Sequence, residues 1–276
     1  MSLGRFTLVW ALVGCLFLAP DRAAIAAAIT QCTAPTNVSP MAAKLPQTAR
    51  AIRKGKELTI VAIGSSSTEG VGASDPAFAY PAVLAEELKS RWPWLTVTVV
   101  NKGIGGEDVE EMLARFGRDV LPYKPQLVIW QVGSNFALRS VDVDKFASIV
   151  RTGLKRLGAE RMDVVLMDPQ YAPVVVDKPI HKRIVSAVRG IGNDLGVAVF
   201  ARFNVMRRWI ASGQYQAEDI LSRDQLHLND LSYRCIARLL AESLDAAAQA
   251  TPLPAEEGIP TPGPQSPPTD VVAGVK

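Results

Sequence analysis

Histidine is nearly missing from this chain: His181 and His227 are the only two in 276 residues. So few imidazoles leave little from which to build a histidine-rich metal site, and any histidine base has to be one of the two. Cysteine is almost as sparse. Cys15, Cys32 and Cys235 include no Cys-x-x-Cys pair, so zinc-ribbon and thioredoxin-like chemistry lack their residues. A strong charge of one sign is absent too, because 30 Lys plus Arg against 27 Asp plus Glu leave a net charge of only +3. That excess is spread thinly, without the basic stripe that phosphate neutralisation needs, and nucleic acid is not an expected partner. The longest apolar run, Phe6 to Ala19, covers about 21 Å as a helix at roughly 1.5 Å per residue, short of the roughly 30 Å hydrocarbon core. No stable membrane span is expected in the mature chain.

What is present suits a globular enzyme: 48% hydrophobic and 21% charged residues can furnish a large core. Arg5 followed by the apolar run and by Ala23, Ala24, Ala26, Ala27 and Ala28 reads as a signal peptide over residues 1–28, so the chain is expected to be exported, periplasmic or secreted. Leu12-Val13-Gly14-Cys15 is the competing pattern, a lipid anchor at Cys15. Export would leave Cys32 and Cys235 in an oxidising compartment, where a disulfide between them is permitted and two free thiols are the alternative. Residues 29–50, with Pro35, Pro40 and Pro46, read as an N-terminal arm. Residues 251–276 hold seven of the chain's prolines and few large apolar side chains, the composition of a disordered tail.

Between arm and tail, residues 51–250 alternate β-rich runs with helical patterns. The runs are Leu58 to Ile63, Leu95 to Val100, Leu127 to Gln131, Asp163 to Met167 and Val197 to Phe200. Apolar residues recur three and four apart over 77–91, 108–120, 144–157, 180–194 and 230–247. The fold class is therefore α/β: a three-layer α/β/α sandwich around a parallel, flavodoxin-like sheet of about five strands. In such sheets ligands bind beyond the carboxyl ends of the strands, so functional residues are sought there.

Four segments stand at such positions. After the first strand, Gly64-Ser65-Ser66-Ser67-Thr68-Glu69-Gly70 is a small-residue loop that can expose a nucleophilic hydroxyl. It has no Gly-Lys-Ser/Thr for a Walker loop, and Thr68 stands where a lipase-type elbow needs glycine. After the second, Gly103-Ile104-Gly105-Gly106 lets backbone amides approach a ligand. After the third, Asn135 offers a side-chain amide. Before the last helix, Asp224-Gln225-Leu226-His227 places a carboxylate where it can fix one ring nitrogen of histidine and leave the other to take a proton from serine. His181, among Lys178, Lys182 and Arg183, reads as a surface residue.

Serine, glycine, asparagine and Asp-x-x-His in this order make residues 58 to 245 resemble the SGNH subgroup of GDSL-type esterases and lipases. The resemblance implies catalytic Ser66, Asp224 and His227, an oxyanion hole from the Ser66 and Gly106 backbone amides and the Asn135 side chain, and no cofactor or metal. Two positions depart from the family's pattern, Ser65 and Phe136, each standing where aspartate is usual. Phe136 either lines the cleft or packs under the loop that carries Asn135. The implied activity is hydrolysis of carboxylic esters through an acyl-serine, with a small acyl or acetyl ester on a carbohydrate or lipid as the partner. Alternatives are an acyltransferase that passes a small acyl group to or from a sugar hydroxyl, and a non-catalytic carbohydrate-binding protein of the envelope.

Overall fold

Five parallel strands run in the order β2-β1-β3-β4-β5 in a computed structural model that describes residues 32, 41, 43–139 and 142–252. The expected signal peptide with Cys15, most of the arm and nearly all of the tail lie outside the described residues. The strands are β1 (Glu57–Gly64), β2 (Thr96–Gly103), β3 (Leu127–Gln131), β4 (Asp163–Met167) and β5 (Ala198–Phe200). Burial explains the order. Leu-Val-Ile-Trp-Gln of β3 and Asp-Val-Val-Leu-Met of β4 are buried at every position, as strands covered by helices on both faces must be. β2 alternates polar with apolar residues and β5 has only three, which suits edges. The chain reverses its winding between β1 and β3, and the crevice at that switch point is where ligands of such sheets bind.

Helix Val143–Ala159 lays Phe146, Val150, Leu154 and Leu157 inward at three and four spacing, and helix Asp230–Ala250 does the same with Ile236, Leu239, Leu240 and Leu244. The latter is opened by a capping box, Asn229 accepting from the Ser232 N–H. Trp92 Nε1 donates to Asp245 Oδ1 at 3.0 Å, tying this helix to the end of Tyr80–Arg91. Among the described residues no helix is long and apolar enough to cross a membrane.

Several outcomes differ from the sequence expectations. A helix, Pro46–Lys54, begins inside the segment expected to be an arm. Its Thr48 donates from both N and Oγ1 to Asp163 Oδ2, each at 2.8 Å, which fixes it at the start of β4. Thr251, expected to open the tail, is buried and accepts from the Leu45 N–H at 3.0 Å. A further helix, Arg202–Ala211, follows β5. The pattern over 108–120 is two short helices, Val109–Ala114 and Phe116–Asp119, broken at Arg115. His181 is 5% exposed instead of lying on the surface, because its ring stacks on Phe203 and its Nδ1 sits 2.7 Å from the Lys178 carbonyl. Cys235 is fully buried and disulfide-bonded, and Cys32 is disulfide-bonded as well.

Phe136 resolves toward packing. It is 1% exposed on helix Ser134–Leu138, with its ring 5.2 Å from that of Phe146. Phe136→Ala should therefore destabilise the fold by about 3 to 5 kcal/mol through the cavity it leaves. Thermal denaturation checks this, and the ester hydrolysis that the resemblance implies should keep its wild-type preference among acyl lengths.

Candidate active site

Ser66 opens a single turn of helix, Ser66–Glu69, directly after β1, so its amide is one of the first-turn N–H groups without an intrahelical acceptor. Glycine makes the turn possible. A Cβ at Gly103 would stand 1.9 Å from the Glu69 nitrogen, so only glycine at the end of β2 lets the turn settle against that strand. The three serines of the loop face different ways. Ser65 and Ser67 are buried, Ser65 donating from N and Oγ to Gln131 Oε1 and Ser67 Oγ accepting from Arg202 Nη1 at 3.0 Å. Ser66 remains accessible, with its Oγ 2.8 Å from His227 Nε2.

His227 arrives on the loop before helix Asp230–Ala250. Its Nδ1 lies 2.5 Å from Asp224 Oδ2, and Asp224 Oδ1 accepts from the His227 and Leu226 amides, each at 2.9 Å, and from Ser222 Oγ at 2.7 Å. Burial alone would lift the Asp224 carboxyl. The hydrogen bonds from the His227 ring and backbone, Ser222 and Leu226 outweigh it and hold the group well below the usual carboxylate range. Gln225 takes the left-handed backbone, φ 57°, that the tight Asp-x-x-His turn requires. With Nδ1 protonated toward Asp224, Nε2 is left as an acceptor for the Ser66 proton.

Gly106 and Asn135 come to the same end of the sheet. Gly106 adopts φ 80°, a left-handed conformation that glycine accepts without strain. Asn135 Nδ2 donates to the Glu107 carbonyl at 2.7 Å, which joins the loop after β3 to the loop after β2 and leaves the second amide hydrogen available. The site thus gathers a hydroxyl, an imidazole, an ionised carboxylate and, on the loop after β3, a side-chain amide. Among the described residues no group of three His, Cys, Asp or Glu side chains is placed to hold a metal ion.

Supporting residues escaped the sequence reading. Arg115, 6% exposed, donates from Nε to Glu107 Oε2 at 2.6 Å, from Nη1 to Asp119 Oδ2 at 3.1 Å, and from Nη2 to the carbonyls of Gly64 and Lys102. Arg139 Nη2 donates to the Gly106 carbonyl at 2.7 Å. On the other side, fully buried Arg202 bridges Ser67 to Gln170 Oε1, and Gln170 Nε2 donates to the Leu226 carbonyl beside His227. One signal was available, since Gln131 is a glutamine closing an otherwise apolar strand. Arg139 and Arg202 gave none, because their partners are distant in sequence, and Arg115 reads as an ordinary surface pair with Asp119 four residues on, its carbonyl partners in β1 and β2 being distant. Arg115→Met should lower kcat of the ester hydrolysis proposed below by about 10²-fold, the scale of a loop misplaced by roughly 1 Å. It should also lower Tm, because Glu107 and Asp119 lose a buried counter-charge. Steady-state kinetics beside a melting curve checks both.

Comparison with known proteins bears on the family and the fold. The model of the non-GDSL lipase-like family matches residues 31–250. An acetylxylan esterase of Geobacillus stearothermophilus is 26% identical over 197 residues, 65% of this chain and 87% of that protein. Among solved structures, a two-domain esterase active on acetylated mannans superposes with a TM-score of 0.65 at 20% identity, over 79% of this chain and 59% of that one. This chain therefore spans less than two thirds of that protein's length. The acetylxylan esterase structure from Geobacillus stearothermophilus gives a TM-score of 0.57 at 21% identity, over 68% of this chain and 94% of its own. With the strand order of the sheet, the match over residues 31–250 shows that the chain belongs to the non-GDSL lipase-like family of SGNH/GDSL-type esterases.

Proposed function

We propose that the protein hydrolyses small acyl esters, acetyl esters of a polysaccharide in particular, through an acyl-serine intermediate, and that the segment at residues 1–28 exports it. The observation that carries the reading is the continuous chain Ser66 Oγ, His227 Nε2, His227 Nδ1, Asp224 Oδ2, with its 2.8 Å and 2.5 Å links. His227 takes the Ser66 proton as Oγ attacks the ester carbonyl, and Asp224 stabilises the imidazolium that forms. The oxyanion is held by the Ser66 and Gly106 amides and the free Asn135 amide hydrogen. One such donor contributes about 2.7 to 4 kcal/mol of transition-state stabilisation. The imidazolium then protonates the departing alcohol, and His227 activates the water that releases the acid. Relatives that act on acetylated xylan and mannan support a carbohydrate acetyl ester as substrate.

The test is acetate release from acetylated xylan and acetylated mannan, beside p-nitrophenyl esters from acetate to palmitate. The reading expects acetate from a polysaccharide and turnover that declines with acyl length. Palmitate preferred over acetate, or no turnover of any ester, contradicts it.

A further inference from the structure

Beyond the carboxyl ends of β4 and β5 lies a hollow of about 360 Å³ whose lining includes none of Ser66, Asp224 and His227. Two helices supply its polar groups. Lys182, Ser186 and Arg189 stand four and three apart on helix His181–Leu195, and Asn204 and Arg207 three apart on helix Arg202–Ala211, so each set shares one helix face. Tyr171 adds an aromatic wall, its ring edge-on to Phe203 at 5.2 Å.

The charge of this hollow is not balanced. No carboxylate lines it. Among the described residues the one carboxylate paired with this set is Asp168, fully buried behind it, with Oδ2 at 3.7 Å from Arg189 Nη2. That separation is too long for a hydrogen bond, and Asp168 Oδ2, Arg189 Nε and Arg189 Nη2 all lack a hydrogen-bond partner. Desolvation pushes the Asp168 carboxyl up to about 7 against the opposing pull of the Phe203 N–H, Arg189 and Arg202. It therefore offsets only part of one cation near neutral pH. Cations crowded around one concavity repel each other, and an anion entering from solvent relieves that repulsion.

We propose that this hollow is a subsite for an acidic saccharide, with Lys182, Arg189 and Arg207 receiving a sugar carboxylate while Asn204, Ser186 and Tyr171 meet the sugar's hydroxyls and ring. The proposal rests on the polysaccharide esterase reading and names a substrate class for it: acetylated polymers that carry uronate units. Position supports it. Tyr171 follows Gln170, which bonds the loop of His227. β5 stands three strand spacings from β1 in the sheet, about 14 Å at roughly 4.8 Å per spacing. A saccharide chain laid along the carboxyl edge of the sheet reaches both places. Arginine forks also suit phosphate, so the test separates the two anions.

The experiment is calorimetric titration of the full chain with oligogalacturonate, with a neutral xylo-oligosaccharide of equal length, and with inorganic phosphate, repeated on a Lys182→Gln/Arg207→Gln double variant. Both substituted residues are exposed, so folding is spared. The proposal expects the acidic oligosaccharide to bind at least about tenfold more tightly than either competitor, to lose about tenfold in the double variant, and to weaken as salt rises. Turnover of 4-methylumbelliferyl acetate should be unchanged in that variant. No binding, equal binding of the neutral sugar, tighter binding of phosphate, or an undiminished affinity in the variant overturns it. Acidic-sugar binding by a wild type that cleaves no ester would instead overturn the esterase reading and leave the subsite standing.

Discussion

Ser66→Ala and His227→Ala should each cut kcat by about 10⁶-fold, since the members of such a triad act as a unit and the loss of one removes nearly the whole contribution. Both variants should melt near the wild-type temperature, because each residue reaches toward the cleft rather than into the core. The neighbours provide the contrast. Ser65→Ala and Ser67→Ala should still form the acyl-enzyme, and Ser67→Ala should lose about 1 to 3 kcal/mol of stability because the buried Arg202 donor is left without its acceptor. Steady-state kinetics and denaturation of the four variants check this. Wild-type-like turnover in Ser66→Ala, or a dead Ser67→Ala, contradicts the assignment.

Asp224→Asn should lower kcat by about 10⁴-fold near neutral pH. The asparagine amide would donate to His227 Nδ1, which drives the ring proton to Nε2, and a protonated Nε2 cannot accept from Ser66. The carboxyl of Asp224 is depressed, so the stability it contributes is present above the ordinary carboxylate pKa, about 4, and is lost as the pH falls below it. Activity of Asp224→Asn within tenfold of the wild type would show that the carboxylate has no part in setting the tautomer.

The parts of this molecule that local chemistry governs were legible in the sequence. β1, β3 and β4 are apolar runs because they are covered on both faces, and Asp-x-x-His shows itself because its two side chains meet within one turn. Less visible were features that distant partners decide. Helix Pro46–Lys54 follows a proline-rich stretch and is held by Asp163, more than a hundred residues away in sequence. Helix Arg202–Ala211 opens on an arginine that looks solvent-bound and is fully buried, because Ser67, Gln170 and the Asp168 carbonyl converge on its guanidinium. The break at Arg115 has the same origin in part, since beside two nearby carboxylates its side chain is drawn inward by the strand carbonyls of Gly64 and Lys102. Phe136 and His181 are buried by aromatic neighbours on other helices.

Whether Ser66 is a nucleophile activated by His227 is decided by reacting the protein with a fluorophosphonate and locating the adduct by peptide mass spectrometry. One residue, Ser66, should be phosphonylated, with labelling abolished in Ser66→Ala and strongly slowed in His227→Ala. An adduct on Ser65 or Ser67, or a wild type that is not labelled, would contradict it.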